Sequence, residues 1–310
     1  MAKSTKKTVI LAKLQDAIGT PAVPTGADDA MLVTNPSHTP LAATMVSRDL
    51  IRPFYGNNQQ LTAGVHTELS FDVEIAGSGA AGMAPAWGRL LVACYFAETI
   101  TAGSDVKYAP VSLKPDTPLT IYYHLDGLLH QLTDAYGTVS FDITSAGIPK
   151  MSFKFMGTYN PVTDSPLPAG VDFSKFLTPR IANTANTTWS MFGYSGPLQS
   201  LSLDIANSLN WFQMIGDEGA EVDDRAPTGK IVMELSKVSD KDWWTAARDA
   251  TLGALTIQQG QAAGNIVLLE APQAQISNLS YSDQNNKALL NGDLGVNPLN
   301  GNDELIITVK

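Results

Sequence analysis

The chemistry that the sequence suggests most directly is nucleotide binding at a glycine-rich loop, residues 77–82 (GSGAAG). The loop has the GxGxxG spacing of a dinucleotide-binding turn, lies between a predicted strand and a predicted helix, and precedes Glu98 at a distance suited to a ribose contact. The strand before it, however, alternates apolar residues with carboxylates, whereas a dinucleotide-binding strand is buried on both faces. Pro85 also places the helix start beyond the third glycine. We therefore expect no nucleotide at this loop.

Two histidines are the best candidates for metal ligands. His124 and His130 lie in paired predicted strands, with Asp126 between them. A zinc site needs three or four ligands at suitable spacing, and no third ligand stands in such a position. We therefore interpret both histidines as polar strand residues.

The remaining motifs favour structural roles. Trp243 and Trp244 open a predicted helix and have no basic neighbours, so we interpret them as core and interface packing rather than as a platform for bases. Residues 223–225 (DDR) are interpreted as a solvated charge cluster. The sequence has no HExxH motif, no GxSxG motif and no Cys/His pairing. It therefore predicts no catalytic residue, no cofactor and no bound metal, and we expect a protein that is not an enzyme.

Composition indicates a globular protein with a weakly charged surface. The 310 residues are enough for two domains, and 44% are hydrophobic while only 16% are charged. A surface poor in charge often meets another protein surface. The net charge of -10 argues against a sequence-reading DNA binder, because phosphate contacts need Lys and Arg. It does not exclude a surface along which DNA slides.

The cysteine count and the apolar runs bear on location. Cys94 is the single cysteine, which excludes an internal disulfide framework and a Cys-rich zinc site. No apolar run approaches membrane-spanning length. The opening MAKSTKKTVILAKL lacks the long apolar region and the cleavage site of a signal peptide. We therefore expect the protein to be made and kept in a reducing cytoplasm, without membrane insertion.

Two consecutive β-hairpins in residues 119–161 are the clearest secondary-structure elements, and the first of them contains His124, Asp126 and His130. The first pairs residues 119–124 with 128–133 across Asp126-Gly127, a dipeptide that tolerates the positive φ angles of a tight turn. The second pairs residues 138–144 with 150–158. Apolar and polar residues alternate in the second hairpin, which predicts strands that are buried on one face, as in an antiparallel sandwich or barrel.

Further strands and two helices follow from the same patterns. The predicted strands are residues 8–14, 43–54, 67–76, 199–205, 230–235, 273–281 and 304–309, and the predicted helices are residues 86–97 and 240–250. Residues 67–76 alternate most regularly, with Leu69, Phe71 and Val73 on one face and carboxylates on the other. Asp240 is the expected N-cap of the second helix.

The order of elements repeats along the chain. Glu234 follows Glu74 by 160 residues, and Trp243 follows Trp87 by 156 residues. We infer a divergent internal duplication. The predicted fold is mainly β, with two tandem sandwich or barrel modules, each with a flanking helix, and an extended N-terminal arm. The predicted boundaries are an arm at 1–40, a first module at 41–160, a linker at 161–198 and a second module at 199–310.

Six motifs carry a resemblance to a known family. They are TVILAKLQDAIGT, RPFYGNNQQLTAG, the segment from YYHLDG to GTYNP, LQSLSLDIANSL, DDRAPTGKIVMEL and GNDELIITV. With the duplicated order of elements, they make the chain similar to the major tail tube proteins of long-tailed bacteriophages over nearly its whole length.

The resemblance implies a structural virion protein that stacks as rings into a tail tube, where one sheet of every subunit joins a barrel around a DNA channel. Because this chain carries the module twice, rings of three chains with pseudo-sixfold symmetry are implied. Implied partners are other copies of itself, tail terminator, baseplate and tape-measure proteins, and genomic DNA in transient contact. Implied locations are the virion and, during assembly, the cytoplasm of the host bacterium. A tail terminator, a baseplate hub ring or a capsid decoration protein is the alternative.

Two sets of site residues are predicted. The arm is expected to lie on a neighbouring subunit through Thr8, Val9, Ile10, Leu11 and Leu14, together with the loop at residues 54–65, because the free chain would have no partner for this apolar strand. A channel for DNA should be negative or neutral, since rows of Lys and Arg would bind phosphates. The candidate channel residues are Glu68, Ser70, Asp72, Glu74, Ser202, Asp204 and Glu234. Alternatively, the second hairpins line the channel, with Asp142 and Lys154.

Overall fold

The computed structural model describes residues 3–310 and is mainly β, with 53% of residues in strands and 5% in helices. The predicted fold class is therefore confirmed. Within the described residues, no helix has the length and apolar character needed to cross a membrane.

We call residues 8–164 the first module and residues 187–309 the second module. The first contains β1 (Thr8–Leu14), α1 (Gly26–Asp29), β2 (Ala30–Met31), β3 (Thr34–Ser47), β4 (Gln60–Glu74), α2 (Gly88–Ala93), β5 (Phe96–Thr101), β6 (Asp105–Pro110), β7 (Leu119–Leu125), β8 (Leu128–Thr144), β9 (Lys150–Tyr159) and β10 (Thr163–Asp164). The second contains β11 (Thr187–Met191), β12 (Leu198–Asp204), β13 (Asn207–Met214), β14 (Asp217–Arg225), β15 (Thr228–Glu234), α3 (Trp243–Arg248), β16 (Leu252–Gln259), β17 (Val267–Gln284), β18 (Lys287–Asn297) and β19 (Ile306–Val309).

The two modules share one antiparallel sheet, which we call the eight-stranded sheet. Its strand order is β3-β4-β9-β8-β12-β15-β18-β17, so each module supplies four neighbouring strands. The modules meet where β8 pairs with β12. At the two ends of the sheet, β3 and the second half of β17 have no partner on their outer edges within the described residues.

An outer layer covers one face of this sheet in each module. Its order is β2-β1-β7-β8-β10 in the first module and β11-β16-β17-β19 in the second, where β6 and β5 of the first module extend it beyond β19. The long strands β8 and β17 belong to both layers. Each is bulged midway, after Thr133 in β8 and after Ser277 in β17, next to the positive-φ residues Asp134 and Asn278. A bulge bends a strand and lets it continue into the second layer.

The hydrophobic core lies between the two layers. Leu69, Phe71 and Val73 of β4 are fully buried, as their alternation predicts. Phe71 packs on Phe153 and Phe155 of β9, with ring centroids 6.1 and 5.8 Å apart. The opposite face of the same strands is polar, so the period of two separates a packed face from an open one.

The strand order is the same in both modules. It is β3-β4-β9-β8-β7-β1 in the first and β12-β15-β18-β17-β16-β11 in the second, and one short helix precedes β7 and β16. Glu74 and Glu234 hold matching places as the last residues of β4 and β15. The tandem modules that the sequence predicted are therefore present.

The N-terminal strand corrects one expectation. β1 pairs with β7 of the same chain along its whole length, and Ile10, Leu11 and Ala12 are buried. The apolar strand therefore finds its partner without a neighbouring subunit, because β7 offers a free edge in the outer layer. The helix α1 behind it is attached to α2 by an ion pair between the buried Asp29 and Arg89, whose guanidinium also donates to the carbonyl of Ala12.

The segment predicted as a linker also carries structure. β11 lies within residues 161–198 and pairs with β16, as β1 pairs with β7. Each repeat therefore begins with its own outer strand, upstream of the predicted module starts at 41 and 199.

Three local predictions differ from the structure. Residues 60–65, predicted as loop, are strand, because β3 and β4 form one long hairpin. The helices are shorter than predicted. α2 ends before Cys94, since Tyr95 adopts a left-handed φ of 66°. α3 is capped by Asp242 rather than Asp240, and the Asp242 carboxylate accepts from the backbone N–H of Thr245 at 2.9 Å.

Candidate functional site

The open face of the eight-stranded sheet is mostly polar and runs through both modules, and we call it the polar face. Directly opposite residues of an antiparallel pair point to the same side of a sheet. Ser70 lies opposite Lys154, which lies opposite Thr138, so β4, β9 and β8 share this face. Ser202 lies opposite Asp142 and continues the face into the second module.

Carboxylates outnumber lysines on the polar face. The register places there Glu68, Asp72, Glu74, Asp142, Asp204, Glu234 and Asp293, against Lys150, Lys154, Lys230 and Lys287. Lys154 approaches Glu68 to 3.4 Å and Lys150 approaches Asp72 to 4.0 Å. These lysines stand beside carboxylates rather than in a row of their own, so the face carries an excess of negative charge.

The structure brings all the predicted channel candidates onto this face. Glu68, Ser70, Asp72 and Glu74 lie on β4, Ser202 and Asp204 on β12, and Glu234 on β15. The alternative lining residues, Asp142 and Lys154, lie on the same face, because β9 pairs with β4 on one edge and with β8 on the other. The two predicted channel linings are therefore one surface.

Close backbone contacts join the modules beside this sheet. The N–H of Gly77 donates to the side-chain oxygen of Asn265 at 2.7 Å, and the N–H of Gly79 donates to the carbonyl of Gly264 at 2.8 Å. A Cβ built on Gly77 would lie 2.2 Å from that carbonyl oxygen. The GxGxxG loop thus uses its glycines for close approach of two backbones.

The outer layer also crosses between the modules. β6 of the first module pairs with β19 of the second, with Tyr108 opposite Ile307. Nearby, Arg225 forms an ion pair with the buried Glu304 and donates to the carbonyl of Val111 at 2.9 Å. This corrects the interpretation of residues 223–225 as a solvated cluster. Arg225 lies near the end of β14, where the loop before β19 and the loop after β6 both reach it.

The hairpin β13–β14 of the second module packs on the first module. Trp211 stacks on His66 of β4, with ring centroids 5.1 Å apart and planes 15° from parallel. Ala220 of the same hairpin is buried with Tyr95, Tyr136 and Met156 of the first module. The sequence patterns predict no strand between residues 205 and 230, so they do not reveal this packing.

The predicted metal candidates do not converge. His124 lies on β7 and His130 on β8, and neither belongs to a group of three potential metal ligands within residues 3–310. His130 instead contacts the ring of His38, with centroids 4.6 Å apart. Asp126, in the turn between the two strands, accepts from the N–H of Ser4 at 2.7 Å. Asp126 thus holds the N-terminal segment, and His130 packs against β3 at His38.

The two ends of the eight-stranded sheet differ in chemistry. At one end, the tips of hairpins β3–β4 and β13–β14 expose large apolar side chains, among them Ile51, Tyr55 and Ile215. At the other end lie the turns that follow β8 and β17, and Asn285 and Asn286 form the second of these turns. Exposed apolar patches are typical of contact sites for another protein surface.

Comparisons with known proteins agree with this architecture. A search of curated proteins finds no match to the chain. A family model described as Phage tail tube protein matches residues 5–293, which is nearly the whole chain and covers the first module and most of the second. The chain therefore belongs to the phage tail tube protein family and is a structural protein of the virion tail.

Proposed function

We propose that the chain is a non-catalytic structural protein that polymerises as stacked rings into the tail tube, the channel through which DNA passes during ejection. The observation that carries the proposal is the eight-stranded sheet. It runs through both modules, has one packed face and one polar face, and ends on each side in a strand edge that no other described residue pairs with. A sheet of this kind closes into a barrel when copies join edge to edge.

Three chains give a barrel of suitable size. Three sheets of eight strands make 24 strands, and at about 4.8 Å per strand the backbone barrel is about 37 Å across before strand tilt widens it. Barrels of 16–18 strands already enclose an aqueous channel. A barrel of 24 strands therefore leaves room for a DNA duplex between walls lined with side chains. The outer layers and the flanking helices α2 and α3 lie on the outside of such a barrel.

The polar face then lines the channel. Its carboxylates repel phosphates, and Lys150 and Lys154, which stand beside Asp72 and Glu68, cannot form the unbroken basic row that would hold a duplex. Phosphate binding to proteins is driven by Lys and Arg that displace counterions from DNA. A face with an excess of carboxylates keeps the DNA mobile, and the overall charge of -10 has the same sign.

Stacking follows from the difference between the two ends of the sheet. The apolar tips at Ile51, Tyr55 and Ile215 all lie at one end. A contact between unlike ends is heterologous and does not close on itself, so it produces an open stack rather than a dimer. Burial of the tips against the next ring removes apolar surface from water. Each Å² removed stabilises the stack by about 25 cal/mol.

The partners follow from the same role. The chain contacts its own copies within and between rings, a tail terminator and a baseplate at the two ends of the tube, the tape-measure protein within it, and genomic DNA in transit. Assembly takes place in the cytoplasm of the host bacterium. A tail terminator or baseplate hub would use the same barrel but would stop after one ring.

Electron microscopy of the purified chain tests the proposal. We expect hollow tubes of variable length with a continuous central channel. Single rings that never stack would instead indicate a terminator or hub. Chains that remain monomeric at high concentration, or solid filaments without a channel, would contradict the proposed function.

A further inference from the structure

The two free edges of the eight-stranded sheet suggest how one chain meets the next. β3 is exposed along most of its length, and within residues 3–310 the segment 280–284 of β17 pairs only with β18. Each edge therefore presents unpaired N–H and C=O groups, which are a template for a further strand. A junction between these edges rests on the proposed function, because it supplies the strands and the register through which a ring closes.

The chain already contains one junction of this kind. Residues 200–204 of β12 lie antiparallel to residues 140–144 of β8, with Ser202 opposite Asp142 and Leu203 opposite Phe141. The β8 segment is the last part of its strand before a hairpin turn. Residues 280–284 of β17 hold the same position in the second module, before the turn into β18.

Equivalent residues can be found by following the pairing from strand to strand. Glu74 lies opposite Lys150, which lies opposite Asp142. In the second module, Glu234 lies opposite Leu289, which lies opposite Ser282. Ser282 is therefore the counterpart of Asp142, and Tyr281 is the counterpart of Phe141.

The same procedure matches β3 to β12. Ser37 lies opposite Ser70 of β4, and Ser202 lies opposite Lys230 of β15. Counted back from Glu74 and Glu234, Ser70 and Lys230 are equivalent positions, each four residues before the end of its strand. Ser37 is therefore the counterpart of Ser202.

We propose that β3 of one chain pairs antiparallel with residues 280–284 of the next chain, with Ser37 opposite Ser282. The junction inside the chain is thus a copy of the junction between chains. Exposure supports this assignment. Phe141, covered by β12, is 2% exposed, whereas its counterpart Tyr281 is 62% exposed in the single chain.

Two prolines restrict the new pairing to a short segment. Pro36 and Pro40 lie at the irregularities of β3 on either side of residues 37–39. Proline has no N–H to donate and is tolerated in sheets at edges and bulges. Residues 37–39 keep their donors, so the register is fixed over three residues rather than free to slip along the edge.

The two kinds of junction differ in strength. Within the chain, the β5–β6 hairpin, the Arg225–Glu304 ion pair and the contact of Gly77 with Gly264 reinforce the β8–β12 pairing. The β5–β6 hairpin lies between α2 and β7, whereas only residues 249–251 separate α3 from β16, so the second module has no such hairpin to offer the next chain. A ring of three chains has six junctions between modules, three within chains and three between chains. The three between chains depend on the sheet edge alone and are therefore the weaker ones.

Disulfide trapping tests the register. Directly opposite Cα atoms in an antiparallel pair are about 4.5–5.5 Å apart, within disulfide range, whereas diagonal neighbours are about 7–8 Å apart. We expect tubes of the S37C/S282C variant to give covalent dimers and trimers on mild oxidation. The variant S202C/D142C should give an intrachain bridge only. Native Cys94 is buried, and burial raises the pKa of its thiol, so it stays unreactive.

Two controls make the result decisive. S37C/S280C shifts the partner by two residues on the same face, and its trapping yield should be at least about tenfold lower than that of S37C/S282C. In unmodified tubes, amide exchange of residues 280–284 should slow at least about tenfold relative to the monomer. Tubes that show neither trapping nor protection would refute this junction while the proposed function stands. Absence of any tube or ring would refute both.

Discussion

The imidazole of His38 on β3 packs edge-on against that of His130 on β8, with ring centroids 4.6 Å apart. Tyr123 of β7 contacts His38 as well, at 4.8 Å, and the Nε2 atom of His38 is buried without a hydrogen-bond partner. The edge strand β3 is thus held against the outer layer through a histidine in surroundings that disfavour its protonation. Ser37, the residue proposed to face the next chain, is its neighbour in sequence.

Acid should therefore weaken the fold through His38. Burial, and secondly repulsion from His130, lowers the pKa of His38 to about 4. Burial also lowers the pKa values of His124 and His130. As the pH falls, these histidines take up protons in the unfolded chain before they do so in the folded chain. Their contribution to the unfolding free energy is therefore full above about pH 6.5, decreases as the pH drops toward 4, and is constant below that.

A substitution isolates the contribution of His38. Between pH 7 and pH 4, the native chain should lose about 1–2 kcal/mol more unfolding free energy than H38Q, a range reduced to allow for solvent screening. Denaturant titrations at both pH values provide the comparison. Equal losses in the two proteins would show that His38 titrates alike in the folded and unfolded chains.

The N-terminal strand should stabilise the isolated monomer. Ile10 is 1% exposed and pairs with Tyr123 of β7, so I10A should lower the unfolding free energy of dilute monomer by about 2–5 kcal/mol. K13A, on an exposed side chain of the same strand, should change it by less than about 0.5 kcal/mol. If β1 belonged to a neighbouring subunit, I10A would leave monomer stability unchanged and impair assembly alone.

The apolar tip of the β3–β4 hairpin should matter for stacking and not for folding. I51S/Y55S should leave the unfolding free energy within about 0.5 kcal/mol, because both side chains are fully exposed. The concentration needed for tube formation, measured by light scattering, should rise at least about tenfold, since each lost apolar contact is worth about 1.5–3 kcal/mol. L113S removes an exposed leucine elsewhere and should polymerise normally. Equal polymerisation of both variants would exclude the tip from ring contacts.

Much of the first module was predictable because its strands are half buried. Leu69, Phe71 and Val73 alternate with polar residues, and the turn at Asp126 and Gly127 has φ values of 39° and 90°, as such a dipeptide favours. Strands without a buried face gave no such signal. Edge strand β3 exposes most of its residues and hairpin β13–β14 about half of them, so their sequences do not alternate clearly. Pro36 and Pro40 are the one local sign that β3 is an edge strand.

The polar face was predicted strand by strand, but its continuity was not. Alternation places Asp72 and Asp204 on the polar sides of their own strands, which is a local property. The pairing of β8 with β12 joins residues about 60 positions apart, and no local pattern specifies it. The same reason explains why the sequence predicts a solvated Arg225, since its partner Glu304 is distant in sequence.

Reversal of charge on the polar face should slow the release of DNA through the tube. Glu74 and Glu234 are equivalent positions, and neither makes an ion pair among the described residues, so E74K/E234K removes no salt bridge. In virions built with this variant, tubes should form and DNA release should slow, most strongly at low salt where phosphate binding is strongest.

The matched control is D16K/D240K, which makes the same change of charge at exposed positions outside the eight-stranded sheet. Its DNA release should match that of the native virion. Release from E74K/E234K virions at the native rate, at every salt concentration, would show that these carboxylates do not line the path of the DNA.

The rotational symmetry of the assembled tube tests the central claim most directly, because two modules in one chain must fill the places of two subunits. Averaged end-on views of tubes in the electron microscope should show threefold symmetry, with six similar lobes around one channel, and a released ring should have the mass of three chains. A ring of six whole chains, with twelve modules, would contradict the account.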